Sequence, residues 1–181
     1  MLAAAQPAIP ARTPVAAPWR RGRAGRRRAP SSGVGSIAGV TPAPEADDAR
    51  MTVLVYSDDV DTRSRVKMAI GRRPAPDVPR VEWLECATAA AVISALDKGG
   101  VDLAILDGEA TPVGGMGIAR QVKDEIFQCP PIVVLTGRVA DNWLANWSRA
   151  EAAVAHPLDP IVLASTVADL LRRRRAELTT S

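Results

Sequence analysis

Long apolar runs are what this 181-residue chain most plainly lacks: no stretch of about 18 consecutive apolar residues occurs, so no transmembrane helix is expected. Cysteine is nearly absent as well. Cys86 and Cys129 are the only two, they form no C-x-x-C pair, and each borders an apolar run. That pattern favours small buried thiols in a reducing cytosol over a disulfide or a metal site. The third scarcity is excess positive charge in the part that can form a core. Residues 1–50 hold eight Arg against three acids, a net +5, whereas residues 51–181 hold fifteen Lys and Arg against seventeen Asp and Glu, a net −2. The sequence pI near 9.3 therefore belongs to the leading segment, and nucleic-acid binding does not follow from overall basicity.

The leading segment also lacks hydrophobic periodicity. Seven Pro and five Gly interrupt residues 1–50, and Arg20, Arg21, Arg23, Arg26, Arg27 and Arg28 form a basic cluster; such a composition is expected to remain disordered. Arg20-Arg21 invites comparison with a twin-arginine export signal. The Ser31–Val40 stretch that follows is too polar and Gly-rich for a signal's apolar core, and the prolines oppose an amphipathic transit helix. Met51, just before the first strand, is the expected natural start, with residues 1–50 an upstream extension.

From Met51 onward, strand-like and helix-like patterns alternate five times, in a chain that is 47% hydrophobic and long enough for one domain with a real core. Strands are expected at about 52–57, 80–86, 101–106, 132–135 and 152–155. Helices are expected at about 60–71, 88–98, 115–127, 140–150 and 159–175, the second ending at Gly99-Gly100, a helix stop signal. The domain thus spans 51–176, with 177–181 a short tail. Five strand–helix units in this length imply an α/β sandwich with right-handed crossovers. Trp143 and Trp147, four apart on the fourth helix, are expected to pack on the sheet, and Arg172 to Arg175 to complement the dipole at the end of the fifth helix.

Two apolar runs end in bare carboxylates. Thr52 to Ser57 leads into Asp58-Asp59, and Val101 to Leu106 stops at Asp107. Ligands of open α/β sheets bind beyond the carboxyl ends of the strands. Three carboxylates meeting there would repel one another unless a cation lay among them. Mg2+, which takes oxygen ligands and keeps several waters, is the natural candidate.

The acidic pair after strand 1, Asp107 ending strand 3, Thr136-Gly137 after strand 4 and His156-Pro157 after strand 5 together resemble the receiver domain of bacterial two-component response regulators. The resemblance covers about residues 51–175. It implies a doubly wound five-stranded parallel sheet of order 2-1-3-4-5, a flavodoxin-like or receiver-like three-layer sandwich. It also implies Asp107 as phosphoacceptor, Asp58 and Asp59 with Asp107 and the backbone carbonyl of Glu109 as holders of Mg2+, Thr136 as the hydroxyl that bonds a phosphoryl oxygen, and Gly137 as the small residue that leaves it room. Gly115 matches a family glycine. His156 stands where the family has Lys, and an imidazole is mostly neutral at pH 7 and shorter in reach. The resemblance also implies a cis bond at His156-Pro157. Two further departures are Thr111 in the place of a usual Pro, with Pro112 one later, and Ala153 in the place of a switching aromatic.

The functional expectation is a cytoplasmic single-domain response regulator. It would take a phosphoryl group from a sensor histidine kinase onto Asp107 and lose it slowly to water. Its target would be met through the helix 4–strand 5–helix 5 face, with no DNA-binding domain and no membrane contact. A receiver-like interaction module that needs no phosphate is the first alternative, motivated by His156, Ala153 and Pro112. A haloacid-dehalogenase-like phosphatase is the second, because Asp59-Val60-Asp61-Thr62 superficially fits its Asp-x-Asp motif. A flavodoxin-like flavin binder is set aside, since the acidic first loop would repel a phosphate.

Overall fold

A computed structural model describes residues 50–180, excepting the side chains of residues 142, 144 and 145. The extension expected over residues 1–50 therefore lies outside the described residues, save for Arg50. The strands are β1 (Arg50–Tyr56), β2 (Arg80–Cys86), β3 (Leu103–Asp107), β4 (Ile132–Thr136) and β5 (Ala152–Ala155), and the helices are α1 (Val60–Ile70), α2 (Ala89–Lys98), α3 (Gly115–Glu125), α4 (Trp143–Ser148) and α5 (Pro160–Thr180). All strand pairs are parallel, and the sheet order is β2-β1-β3-β4-β5, as expected from the sequence.

The period-two alternation of β1 divides the core. Val53 and Val55 point to one side, where Val66 and Ile70 of α1 meet Leu163, Val167 and Leu171 of α5. Leu54 and Tyr56 point to the other, against Val92 and Leu96 of α2 and Ile118 and Val122 of α3. Every residue of β3 and β4 is buried, which explains why both strands read as unbroken apolar runs rather than alternating ones. Asp59 caps α1, Thr88 caps α2, and the Asp159 carboxylate accepts from the N–H groups of Ile161 and Val162 at the start of α5.

Several boundaries and one packing expectation differ: β1 starts at Arg50 rather than 52, β3 at Leu103 rather than 101, and three helices also change. The fourth helix was expected over 140–150; instead a 3-10 turn at Val139–Asn142 precedes α4, which stops where Arg149 adopts a left-handed φ of 60°. α3 stops at Glu125, because Ile126 turns extended ahead of Pro130-Pro131. α5 runs through the expected tail to Thr180, as the Thr179 and Thr180 hydroxyls donate back to the carbonyls of Arg175 and Ala176. Trp143 and Trp147 do not pack on the sheet: they are 63% and 53% exposed, since the short α4 lies beside α3 and turns these two side chains outward.

Cys86 is buried, Cys129 is half-buried and both are free thiols; burial pushes both thiols above their ordinary pKa. Among the described residues, no helix is long and apolar enough to cross a membrane.

Candidate functional site

Register brings the polar strand ends together. Tyr56 is paired with Leu106, Asp107 with Leu135, and Thr136 with Ala155. One residue past each of the first and last pairs come Ser57 and His156, so Ser57, Asp107, Thr136 and His156 lie along one edge of the sheet. The backbone closes the same edge: the His156 N–H donates to the Thr136 carbonyl at 2.8 Å, and the Gly108 N–H to the Leu135 carbonyl at 2.8 Å.

Asp107 sits at the centre, only 4% exposed. Its Oδ2 accepts from the Ser57 hydroxyl at 2.8 Å and its Oδ1 from the Glu109 N–H at 3.0 Å. The two donors satisfy oxygens that burial would otherwise leave without partners. The backbone beneath it is close-packed: a Cβ on Gly115 would stand 2.7 Å from the Asp107 carbonyl oxygen and 2.8 Å from the Leu106 carbonyl carbon. Glycine at the start of α3 is therefore what lets that helix approach the end of β3.

The two acids after β1 part company. Asp59 is the N-cap of α1: its carboxylate accepts from the Asp61 N–H at 2.9 Å, the Thr62 N–H at 3.2 Å and the Thr62 hydroxyl at 2.8 Å, and Arg65 stands 3.5 Å away. These bonds, led by that of the Thr62 hydroxyl, hold the Asp59 carboxyl below the usual range. Asp58 turns instead towards the loop after β3, where the Thr111 hydroxyl donates to its Oδ2 at 2.7 Å and likewise holds its carboxyl low. The oxygen actually touching Asp107 is that of Ser57, which is fully buried and also accepts the Asp59 N–H at 3.1 Å.

Of the three expected carboxylates, Asp59 also caps α1, while Asp58 and Asp107 accept bonds from the hydroxyls of Thr111 and Ser57. Ser57, which read as the last residue of a strand, is the neighbour of Asp107. The signal that could have found it is register: β1 and β3 in step place Ser57 opposite Asp107.

Tyr56 frames the pocket from below. Its hydroxyl donates to the Val113 carbonyl at 2.6 Å, tying β1 to the β3–α3 loop. Burial first, then the charges of Asp58 and Asp107, push its phenol above the ordinary value, so both carboxylates act on one group.

On the opposite side, Thr136 is fully buried and its hydroxyl donates to the Arg138 carbonyl at 3.2 Å. To serve a ligand on Asp107 this hydroxyl has to rotate off Arg138. The space beside Gly137 is filled by the Glu109 carboxylate: a Cβ on Gly137 would meet it at 2.9 Å. His156 is half-buried, and its bond to Pro157 is cis, as is that between Thr111 and Pro112. Ala153 is half-buried on the α2–α3 side of the sheet.

Among the described residues, no group of three His, Cys, Asp or Glu side chains is placed to hold a metal. Asp58, Asp107 and the Glu109 carbonyl are nonetheless hard oxygen donors. Two carboxylates and a carbonyl suit Mg2+ that keeps several waters, and do not suit a cation needing an all-protein cage.

No protein-family profile matches the chain. A response regulatory protein of Mycobacterium tuberculosis, found in strains CDC 1551 and H37Rv, is 64% identical over 122 residues, covering 67% of this chain and 92% of the relative. The receiver domain of Francisella response regulator 1452 superposes with a TM-score of 0.58 at 14% identity, over 68% of this chain and 98% of that structure. A CheY-like receiver domain protein of Methanospirillum hungatei JF-1 does so with a TM-score of 0.56 at 17% identity, over 71% and 99%.

Proposed function

This chain belongs to the response regulators of two-component signalling and has their receiver fold, and from that premise we propose that it accepts a phosphoryl group from a sensor histidine kinase on Asp107. The observation that carries the reading is the placement of Asp107. It is a buried carboxylate at the end of the central strand, with both oxygens held by donors and with Ser57, Thr136 and His156 along the same sheet edge.

In the reaction, a carboxylate oxygen of Asp107 attacks phosphorus and the phosphorus–nitrogen bond of the kinase phosphohistidine breaks. The imidazole leaves, and an acyl phosphate remains on Asp107. Water later attacks that phosphorus, releasing inorganic phosphate and restoring the carboxylate. The Ser57 hydroxyl and the Glu109 N–H fix the carboxylate's orientation, which is a large part of what positioned catalysis supplies. Once rotated off the Arg138 carbonyl, the Thr136 hydroxyl would donate to an arriving oxygen, and His156, at the adjoining strand end, would be the nearby imidazole donor. Asp58, Asp107 and the Glu109 carbonyl would hold Mg2+, which supplies positive charge against the phosphoryl oxygens.

Beyond slow loss of its own phosphoryl group, the chain performs no turnover in this reading. It works in the cytoplasm, and its output is contact with a protein target through α4, β5 and α5, where Trp143 and Trp147 offer exposed aromatic surface.

The phosphatase alternative has no support in the geometry, because the carboxylate of Asp59 is engaged by three donors of its own helix. A receiver-like module that needs no phosphate draws on Ser57 and His156. One assay separates it from the main reading: incubation with acetyl phosphate and Mg2+ followed by Phos-tag electrophoresis. A retarded band in wild type that Asp107→Asn lacks is the expected result; identical mobility of the two leaves only the phosphate-independent module.

A further inference from the structure

Two hydroxyls stand in the pocket where they alter its chemistry. Ser57 is fully buried and donates to Asp107 Oδ2 at 2.8 Å, while Thr111 donates to Asp58 Oδ2 at 2.7 Å. Neither carboxylate therefore needs a cation to be satisfied.

We propose that Ser57 and Thr111 together hold the Asp107 pocket at low affinity for a divalent cation. Ser57 places a neutral hydroxyl, not a third carboxylate, at the strand-end position beside Asp107, and Thr111 competes for the Asp58 oxygen that a cation would use. The inference rests on the phosphoacceptor reading of the site and adds to it how the cation is taken up.

The physical basis is ligand charge and competition. Oxygen sites gain cation affinity with the number of charged ligands they present, and here two carboxylates converge rather than three, since Asp59 is committed to α1. A third carboxylate at position 57 would repel Asp58 and Asp107 without a cation and be relieved by one. The hydroxyl avoids that repulsion, which stabilises the cation-free pocket and weakens the drive to fill it. Thr111 acts in the same direction, because its hydrogen bond to Asp58 must break or shift before that oxygen can ligate.

The test is isothermal titration calorimetry of MgCl2 into the full chain as wild type, Ser57→Asp and Thr111→Val, with melting temperatures taken in and out of Mg2+. Ser57→Asp is expected to lower Kd at least about tenfold through the added charge, and Thr111→Val about fivefold through removal of one competing hydrogen bond. Ser57→Asp should also melt below wild type without Mg2+ and recover with it, since a ligand that binds only the folded state stabilises it by mass action; a mere packing role for Ser57 would not produce that recovery.

Wild-type and Ser57→Asp Kd values within about twofold of each other, an unchanged Thr111→Val, or no binding by any of the three overturns the inference. Should Ser57→Asp fail to fold, Thr111→Val decides, because Thr111 is exposed. Failure of the phosphoacceptor reading is separately visible as the absence of phosphoryl transfer to Asp107 at saturating Mg2+, whatever the Kd values.

Discussion

Asp58 and Asp59 stand side by side in the chain and serve different parts of the fold. Asp59 accepts three donors from the first turn of α1, and Asp58 accepts one from Thr111 across the pocket. Asp59→Ala should therefore lower unfolding free energy in urea by about 1 kcal/mol, the ordinary cost of losing a helix cap, and leave phosphoryl uptake within about twofold of wild type. Asp58→Ala should do the reverse, holding stability and losing most uptake, since the removed group faces the pocket and caps nothing. Parallel urea and Phos-tag series check both. The strand-end places of Asp107, Thr136 and His156 were legible in the sequence because each closes an apolar run; the roles proposed for them come from the receiver resemblance. Ser57 was not legible. Its small polar side chain reads as a strand residue, and the two carboxylates after it look like the obvious pair until the helix claims one of them.

At the scale of elements, α5 is fastened to the α1–β2 loop by Arg172, whose guanidinium donates to both oxygens of Asp77 at 2.7 and 2.8 Å. That pairing lowers the Asp77 carboxyl from 3.8 to about 2. The folded value lies below the unfolded one, so the stabilisation is present above about pH 4 and is lost as pH falls through about 2. Asp77→Asn should accordingly flatten the acid limb of the stability curve in that window. Because the pair is exposed, high salt should shrink the difference between the two proteins.

The junction of β3 with α3 is tighter. Gly115→Ala would push a methyl group to 2.7 Å from a backbone oxygen and should cost about 1–3 kcal/mol in chemical unfolding. Element order and most starts were readable from hydrophobic period and caps. The ends were less so, since the left-handed Arg149 that stops α4 and the threonine back-bonds that prolong α5 are local conformations with no strong sequence signature.

For the whole molecule, the alternation of apolar strands with amphipathic helices was enough to give an α/β sandwich, because buried parallel strands and sheet-covering helices leave distinct periodicities, while the doubly wound order 2-1-3-4-5 was implied by the receiver resemblance. Exposure of α4 was not readable, because a tryptophan pair at helical spacing looks the same whether it meets the sheet or solvent. The pocket follows from the sheet's order and register as much as from any single residue, and the central claim is that this edge presents Asp107 as a nucleophile for phosphorus. Peptide mass spectrometry after reaction with acetyl phosphate and Mg2+ tests it most directly. The account predicts one phosphoryl group, located on the peptide containing Asp107 and absent from Asp107→Asn; a phosphoryl group on any other residue, or none on wild type, would contradict it.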